Sequence, residues 1–384
     1  MRAIFILLIG ILGVGLYLYI NDNERFNEQL HELNITIIDE ENDLDETEEA
    51  NEEEDAADED TEEEIEEDNE SGNGNNEEGN NLGDEENEKA TSGMTGIHEW
   101  VGNNIGEVRE YYGEPDRIDL SPYGYEWWIY NDAPYYIQIG VKNENVVTVF
   151  TNDQEADTYH VNVGDKFTEA KEHFTFEESV SLNESYTSYQ FELSKDDMEM
   201  RPMTEIDGVW VQYYIDIVEG TISSIRYTDV ETLVLHRPYS IVYRGELPEA
   251  DPLSDEEWER VQEGQARQIF DLTNHIREHH GLQALEWEED TAYVAYLHSK
   301  DMYTEDYFSH TSPNHGELQH RLEAKNVNFH IAAENIAARY VDGIAAVEGW
   351  LNSEGHRVNL LNDEFTHLGV GVHRDFYTQN FLTP

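Results

Sequence analysis

Cysteine is absent from the 384 residues, which excludes disulfides, thiol nucleophiles and cysteine-ligated zinc together. Positive charge is nearly as scarce: 22 lysines and arginines stand against 86 aspartates and glutamates, for a net charge of −64. Such a chain repels phosphate backbones and anionic headgroups, so nucleic acid is no partner and membrane contact is left to an apolar segment. An acidic exterior also suits saline or alkaline surroundings with no ligand involved. Two hydrolase signatures are missing as well, the His-Glu-x-x-His helix and the Gly-x-Ser-x-Gly elbow.

One long apolar run is present. Ala3 to Ile20 are 18 uncharged, mostly apolar positions, about 27 Å as a helix against a bilayer core of roughly 30 Å. Arg2 precedes the run and acidic residues from Asp22 follow it, which orients the remainder outside the cell. The run ends Leu16-Tyr17-Leu18-Tyr19-Ile20 without a small-x-small cleavage site, so residues 1–20 read as a signal anchor, with a cleaved signal peptide and secretion as the alternative. Residues 21–92 read as an acidic disordered spacer. Within it, residues 39–90 hold 28 acids and one base, Lys89, and too few apolar groups to offset the entropy of ordering.

Order is expected from residue 97. A helix at Ile105–Tyr112 is stopped by Gly113-Glu114-Pro115, and strands follow around Glu126–Tyr130, Tyr135–Val141 and Val146–Phe150. A second helix at Phe167–Phe174 and strands near Tyr186–Leu193, Val209–Val218 and Thr221–Thr228 repeat the plan weakly. Val209, Val211, Tyr213, Ile215 and Ile217 alternate with Trp210, Gln212, Tyr214 and Asp216, the period of a strand with one dominant apolar face. The fold class is α+β, with a mixed helix-and-antiparallel-sheet module of two similar units over residues 97–237. Its aromatics Trp127, Trp128, Tyr135 and Tyr136 suit sheet packing better than a carbohydrate or peptide groove. Residues 238–253, with Pro238, Pro248 and Pro252, read as a linker, and Ser254-Asp255-Glu256-Glu257 as a capping box opening a helix through about His279.

Three later segments carry chemistry: Phe308-Ser309-His310-Thr311-Ser312-Pro313, Ala333-Glu334-Asn335-Ile336-Ala337 and Trp350-Leu351-Asn352-Ser353-Glu354-Gly355-His356-Arg357. Their order and wording resemble the CAP superfamily of cysteine-rich secretory, antigen 5 and pathogenesis-related proteins, in its bacterial form. The resemblance runs from Trp258 to Pro384 and includes Asn274 and Arg277 at the Asn-x-x-Arg spacing, then Leu285 and Trp287. It implies an α/β/α sandwich over residues 254–384. Ile105-Gly106-Glu107-Val108, Gly113-Glu114-Pro115 and Tyr123-Gly124-Tyr125-Glu126-Trp127-Trp128 resemble the CAP-associated N-terminal module of Bacillus-type proteins. A disulfide-free member fits a Gram-positive cell surface.

The resemblance implies a cleft of two histidines and two acids. His310, Glu334 and His356 match three members; Ser353 stands at the fourth position, with Glu354 one residue further. Two imidazoles and a carboxylate suit zinc or another divalent cation, with Glu334 as base if water is activated. His298, His315, His320, His330, His367 and His373 are expected on the polar surface or as core hydrogen-bonding groups. Asn274 and Asn335 are expected to hold loops, and Arg277 and Arg357 to pair with nearby acids. The preferred reading is a binding module on the outer face of the membrane for a lipid, peptide, cell-wall or protein partner. A metal-dependent hydrolase and a noncatalytic scaffold are the alternatives, so whether the chain is an enzyme stays open.

Overall fold

The computed structural model describes residues 96–384, except 132–135 and 184–187. The expected anchor over residues 3–20, the acidic spacer and Tyr135 lie outside the described residues. Among the described residues no helix is long and apolar enough to cross a membrane.

The first half contains helix α1 (Ile105–Tyr112) and strands β1 (Arg117–Leu120), β2 (Glu126–Tyr130), β3 (Ile137–Lys142) and β4 (Asn145–Thr151). Next come α2 (Phe167–His173), β5 (Ser179–Asn183), β6 (Ser188–Glu192), α3 (Lys195–Met200), β7 (Met203–Ile206), β8 (Val209–Asp216), β9 (Thr221–Thr228) and α4 (Val230–His236). The two units correspond bond by bond. In the first, Gly102 N–H donates to the Val146 carbonyl, Val146 N–H to Asn103 and Ile105 N–H to Glu144. In the second, Gly164 N–H donates to Ile222, Ile222 N–H to Asp165 and Phe167 N–H to Gly220. Gly102 and Gly164 both adopt the left-handed backbone, at φ 89° and 92°, that this tie requires. Each helix is thus fastened at its start to the last strand of its hairpin. Those strands, β4 and β9, pair antiparallel with Thr148 opposite Thr228, and one seven-stranded sheet results, in the order β1-β2-β3-β4-β9-β8-β7.

Three expectations are corrected here. The strand read near Tyr186–Leu193 leaves that sheet, and β6 pairs with β5 and with β10 (Ser240–Arg244) in a separate three-stranded sheet. Strand β10 lies inside the stretch read as linker; Ile241, Val242 and Tyr243 favour a strand, and the flanking prolines masked that signal. Strand β8 is buried on both faces rather than one. Val211, Tyr213 and Ile215 join the core of the first half, while Tyr214 joins the core shared with the second.

The second half contains α5 (Asp255–His279), β11 (Glu286–Trp287), α6 (Glu289–Thr304), α7 (Leu318–Ala324), β12 (Ile331–Ala338), α8 (Gly343–Leu351), α9 (Glu354–Leu360), β13 (His367–His373) and β14 (Phe376–Thr383). Its sheet has the order β11-β13-β14-β12; the two-residue β11 pairs parallel with β13, and the other pairings are antiparallel. The capping box forms as read: Ser254 Oγ accepts from Glu257 N–H, and Ser254 N–H donates to the Glu257 carboxylate. Helix α6 lies so close to β13 that a Cβ on Gly371 would stand 1.8 Å from Tyr296 N, which leaves glycine there no substitute.

One apolar core joins the halves. Trp127, Tyr136, Phe150 and Tyr214 of the first sheet cluster with Ile269, Leu272, Trp350 and Phe381 of the second half. Polar pairs cross the same boundary: Arg117 to Asp271 at 2.8 Å, Gln268 to Asp119 at 2.9 Å and Arg226 to Asp342 at 2.8 Å, the last with both side chains buried.

Glu348 also sits at this boundary, where Ser224 and Ser223 hydroxyls donate to its carboxyl. Burial pushes its pKa from 4.5 up to about 7, against the effect of those hydrogen bonds; Asp216 adds to the rise and Arg226 opposes it. The folded chain therefore holds this proton where the unfolded chain has lost it, and the Glu348 contribution to stability is lost as pH rises through about 7. Glu348→Gln is expected to stabilise the protein at pH 8 by about 3 kcal/mol and to leave stability at pH 4 nearly unchanged, checked by urea unfolding at both pH values.

Candidate functional site

The cleft is assembled from the loop after α6, strand β12 and helix α9. Strand β12 places Glu334 inward, 7% exposed, between Ala333 and Asn335. A carboxylate so buried requires partners. Arg321 of α7, itself buried, donates to the Glu334 carboxylate and also to the carbonyls of His310 and Gly316. On the other carboxylate oxygen, His310 Nδ1–H donates at 3.0 Å, and His298 Nε2 of α6 stands 3.8 Å away. Burial pushes the Glu334 carboxyl upward, but the His310 hydrogen bond, with the histidine and Arg321 charges, outweighs it and holds the group below its ordinary value.

This geometry defines the role of each imidazole. With Nδ1–H on Glu334, Nε2 is the ring nitrogen of His310 left for other partners, and the side chain is half exposed. His298 donates Nε2–H to the Ser309 carbonyl at 3.0 Å, which ties the His310 loop to α6, and its Nδ1 has no hydrogen-bond partner. Burial lowers the His298 pKa to about 4 despite Glu334. His356 is bonded through Nδ1 to Ser353 Oγ at 2.8 Å. Burial lowers its pKa to about 4 as well, and the charge of His310 adds to the effect. Asn335 donates to the His356 carbonyl at 3.2 Å, and Asn359 donates to the Glu334 carbonyl and to Asn335 Oδ1, which fasten α9 to β12.

The expected residues are thus joined in part. His310 and Glu334 touch, and His356 stands near enough for His310 to influence it. Ser353 reaches the cleft through His356, while Glu354 is exposed at the start of α9. Glu334, expected as a metal ligand and base, has its carboxylate held by Arg321 on one oxygen and by His310 on the other. Among the described residues, His310, Glu334 and His356 do not form a group with ligand atoms within 4.8 Å of one another; Asp216, Glu219 and His280 do.

Arg321 and His298 were not read as part of the cleft. Arg321 had one indirect signal: a glutamate in the apolar run Ile331–Ala338 needs a cation from elsewhere. His298 behaves as the expected core hydrogen-bonding histidine, yet its ring also lines the back of the site. Asn274 holds a loop as expected, exchanging bonds with Leu285 N–H and carbonyl. Arg277 donates to the carbonyls of Gln283, Leu360 and Asn362, and among the described residues it forms no hydrogen-bonded pair with an acid. Arg357 does pair, with Asp216 at 2.8 Å.

A sheet between helices, with a histidine–glutamate cleft at one end, defines a CAP domain. Residues 270–383 match the cysteine-rich secretory protein family, and residues 101–239 match the CAP-associated N-terminal family. The chain belongs to the cysteine-rich secretory protein family, in the arrangement with a CAP-associated region ahead of the CAP domain. It is 47% identical over 303 residues to the uncharacterized membrane protein YlbC of Bacillus subtilis (strain 168), covering 77% of this chain and 88% of that protein. A shorter match, 36% over 118 residues, joins 30% of the chain to 46% of the uncharacterized protein YkwD of the same organism. An extracellular protein with an SCP domain from Bacillus anthracis superposes with a TM-score of 0.74 at 41% identity, covering 79% of this chain and all of that one. A Staphylococcus aureus cysteine-rich secretory protein shares the fold, with a TM-score of 0.68 at 24% identity over 75% of this chain and 95% of that one.

Two outcomes are expected. His298 and His356 stay neutral at pH 5.5, where a free histidine is mostly charged, so their ring resonances titrate in NMR with midpoints about pH 4. Arg321→Gln strands the Glu334 charge and lowers unfolding free energy by about 3–5 kcal/mol in urea.

Proposed function

We propose that the chain is a noncatalytic binding protein of the cell exterior, whose CAP cleft takes a ligand through His310 and His356. The observation that carries this reading is the Arg321–Glu334 pair: it removes from the cleft the carboxylate that a metal-assisted hydrolase would use as ligand or base. What remains to meet a ligand is the Nε2 of His310, whose Nδ1 is taken by Glu334, and the imidazole of His356, groups that hydrogen-bond hydroxyls and amides. A placement at the outer membrane face is supported by the apolar run 3–20, by the printed description of the Bacillus subtilis relative as a membrane protein and by that of the Bacillus anthracis neighbour as extracellular. Cell-wall fragments and peptides carry the donors that the cleft would recognise. One observation favours an acid–base role instead: Glu334 orients His310 as a base-ready imidazole.

Mixed soluble muropeptides, titrated into the full chain and followed by calorimetry, are expected to bind with an affinity that falls about tenfold or more in His310→Ala/His356→Ala, since each lost hydrogen bond is worth about 1 kcal/mol or more. No turnover of the muropeptides or of a peptide library is expected. Turnover lost in His310→Ala would replace this reading with the hydrolase, and unaltered binding in the double variant would place the ligand elsewhere.

A further inference from the structure

A second cluster of ligating side chains lies away from the cleft, where the two family-matched regions meet. The β8–β9 turn brings Asp216 and Glu219 against His280, which follows α5. His280 Nε2 stands 3.7 Å from Asp216 Oδ2, and its Nδ1 stands 3.4 Å from Glu219 Oε1. One ligand atom from each of the three residues falls within 4.8 Å of the others. The same residues line a cavity of about 120 Å³ together with Asn152 and Gln154. A water occupies about 30 Å³ in the liquid, so the cavity has room for an ion and part of its hydration shell.

Asn152 supplies an independent sign of a ligand. It is 1% exposed, its amide nitrogen donates to the Ser223 carbonyl at 2.7 Å, and its Oδ1 has no hydrogen-bond partner among the described residues. A buried carbonyl oxygen left in that state is costly, and Asn152 is one of the residues that line the cavity beside Asp216, Glu219 and His280. Arg357 is the opposing element. Its Nη1 lies 2.8 Å from Asp216 Oδ2, its Nη2 lies 3.9 Å from Glu219, and Nη1 also donates to the Leu351 carbonyl. Two carboxylates and one guanidinium leave a net charge of −1 before any bound ion is counted.

We propose that Asp216, Glu219, His280 and the Asn152 amide oxygen hold a divalent transition-metal cation at this junction. Mixed oxygen and imidazole donors suit the zinc and manganese class; calcium and magnesium take oxygen alone, and no thiolate exists to select a softer ion. Glu219 and Asp216 belong to the CAP-associated region and His280 to the CAP side, so a bound ion would cross-link the two halves. Arg357 competes for Asp216 and sets the affinity below that of a site without it.

The test is zinc titration of the full chain by calorimetry in excess calcium, which occupies the acidic residues 39–90 in every variant. A one-to-one zinc component is expected in wild type and in His310→Ala/His356→Ala. It should weaken roughly tenfold or more in Glu219→Gln and His280→Gln, and tighten in Arg357→Gln. Glu219 is half exposed on a turn, so Glu219→Gln keeps the fold even if His280→Gln does not; equal thermal unfolding of Glu219→Gln and wild type in EDTA verifies this. A zinc isotherm unchanged in Glu219→Gln, a component lost only in the His310/His356 variant, or no zinc component above calcium would overturn the assignment.

Discussion

Helix α5 is buried on two sides, and the arrangement of both halves follows from that. Ile269, Leu272 and Ile276 pack into the shared apolar core, while Gln268 and Asp271 meet Asp119 and Arg117 of strand β1. A 25-residue helix with polar groups on its second buried face is stable only when a matching polar surface covers it. The CAP-associated sheet supplies that surface. The two family-matched regions therefore form one folded body with a continuous core, and the CAP cleft is held in a fixed orientation to the preceding sheet.

The scarcity of positive charge gives the same result electrostatically. Several of the few arginines lie inside against acids: Arg226 on Asp342, Arg117 on Asp119 and Asp271, Arg321 on Glu334, Arg357 on Asp216. Three of these four link the first half to the second. Buried pairs contribute less net stability than an apolar replacement would, but they penalise any arrangement that leaves one partner alone. They act as register marks for the interface, and they remove positive charge from a surface that then stays acidic.

The cleft illustrates how a partner changes a residue's chemistry. Glu334 alone would be a ligand or a base; with Arg321 on one oxygen and His310 on the other it becomes an orienting group. The Asp216–Glu219–His280 cluster has the opposite balance, with one guanidinium against two carboxylates.

Local signals were legible in the sequence wherever they depend on neighbours along the chain. The Ser254 capping box, the helix at Ile105–Tyr112 and the strands at Glu126–Tyr130 and Thr221–Thr228 all follow from caps, periodicity and turn residues. The likeness of the two N-terminal units was visible too, as a helix followed by strands in each, while the matching left-handed glycines Gly102 and Gly164 emerged only in the structure. What lay beyond reach depended on contacts distant in sequence. Strand β10 becomes a strand by pairing with β6 some 50 residues earlier, and β8 is buried on both faces because the three-stranded sheet covers Trp210 and the core shared with the second half covers Tyr214. His310, Glu334 and His356 were named from sequence, but their roles were decided by Arg321 and Ser353, whose positions only the packing of α7 and α9 against β12 could supply. Sequence determined which chemical groups are present and which elements carry them; the tertiary structure decided which groups neutralise one another, because burial makes a charge's properties depend on the partner that packing places beside it.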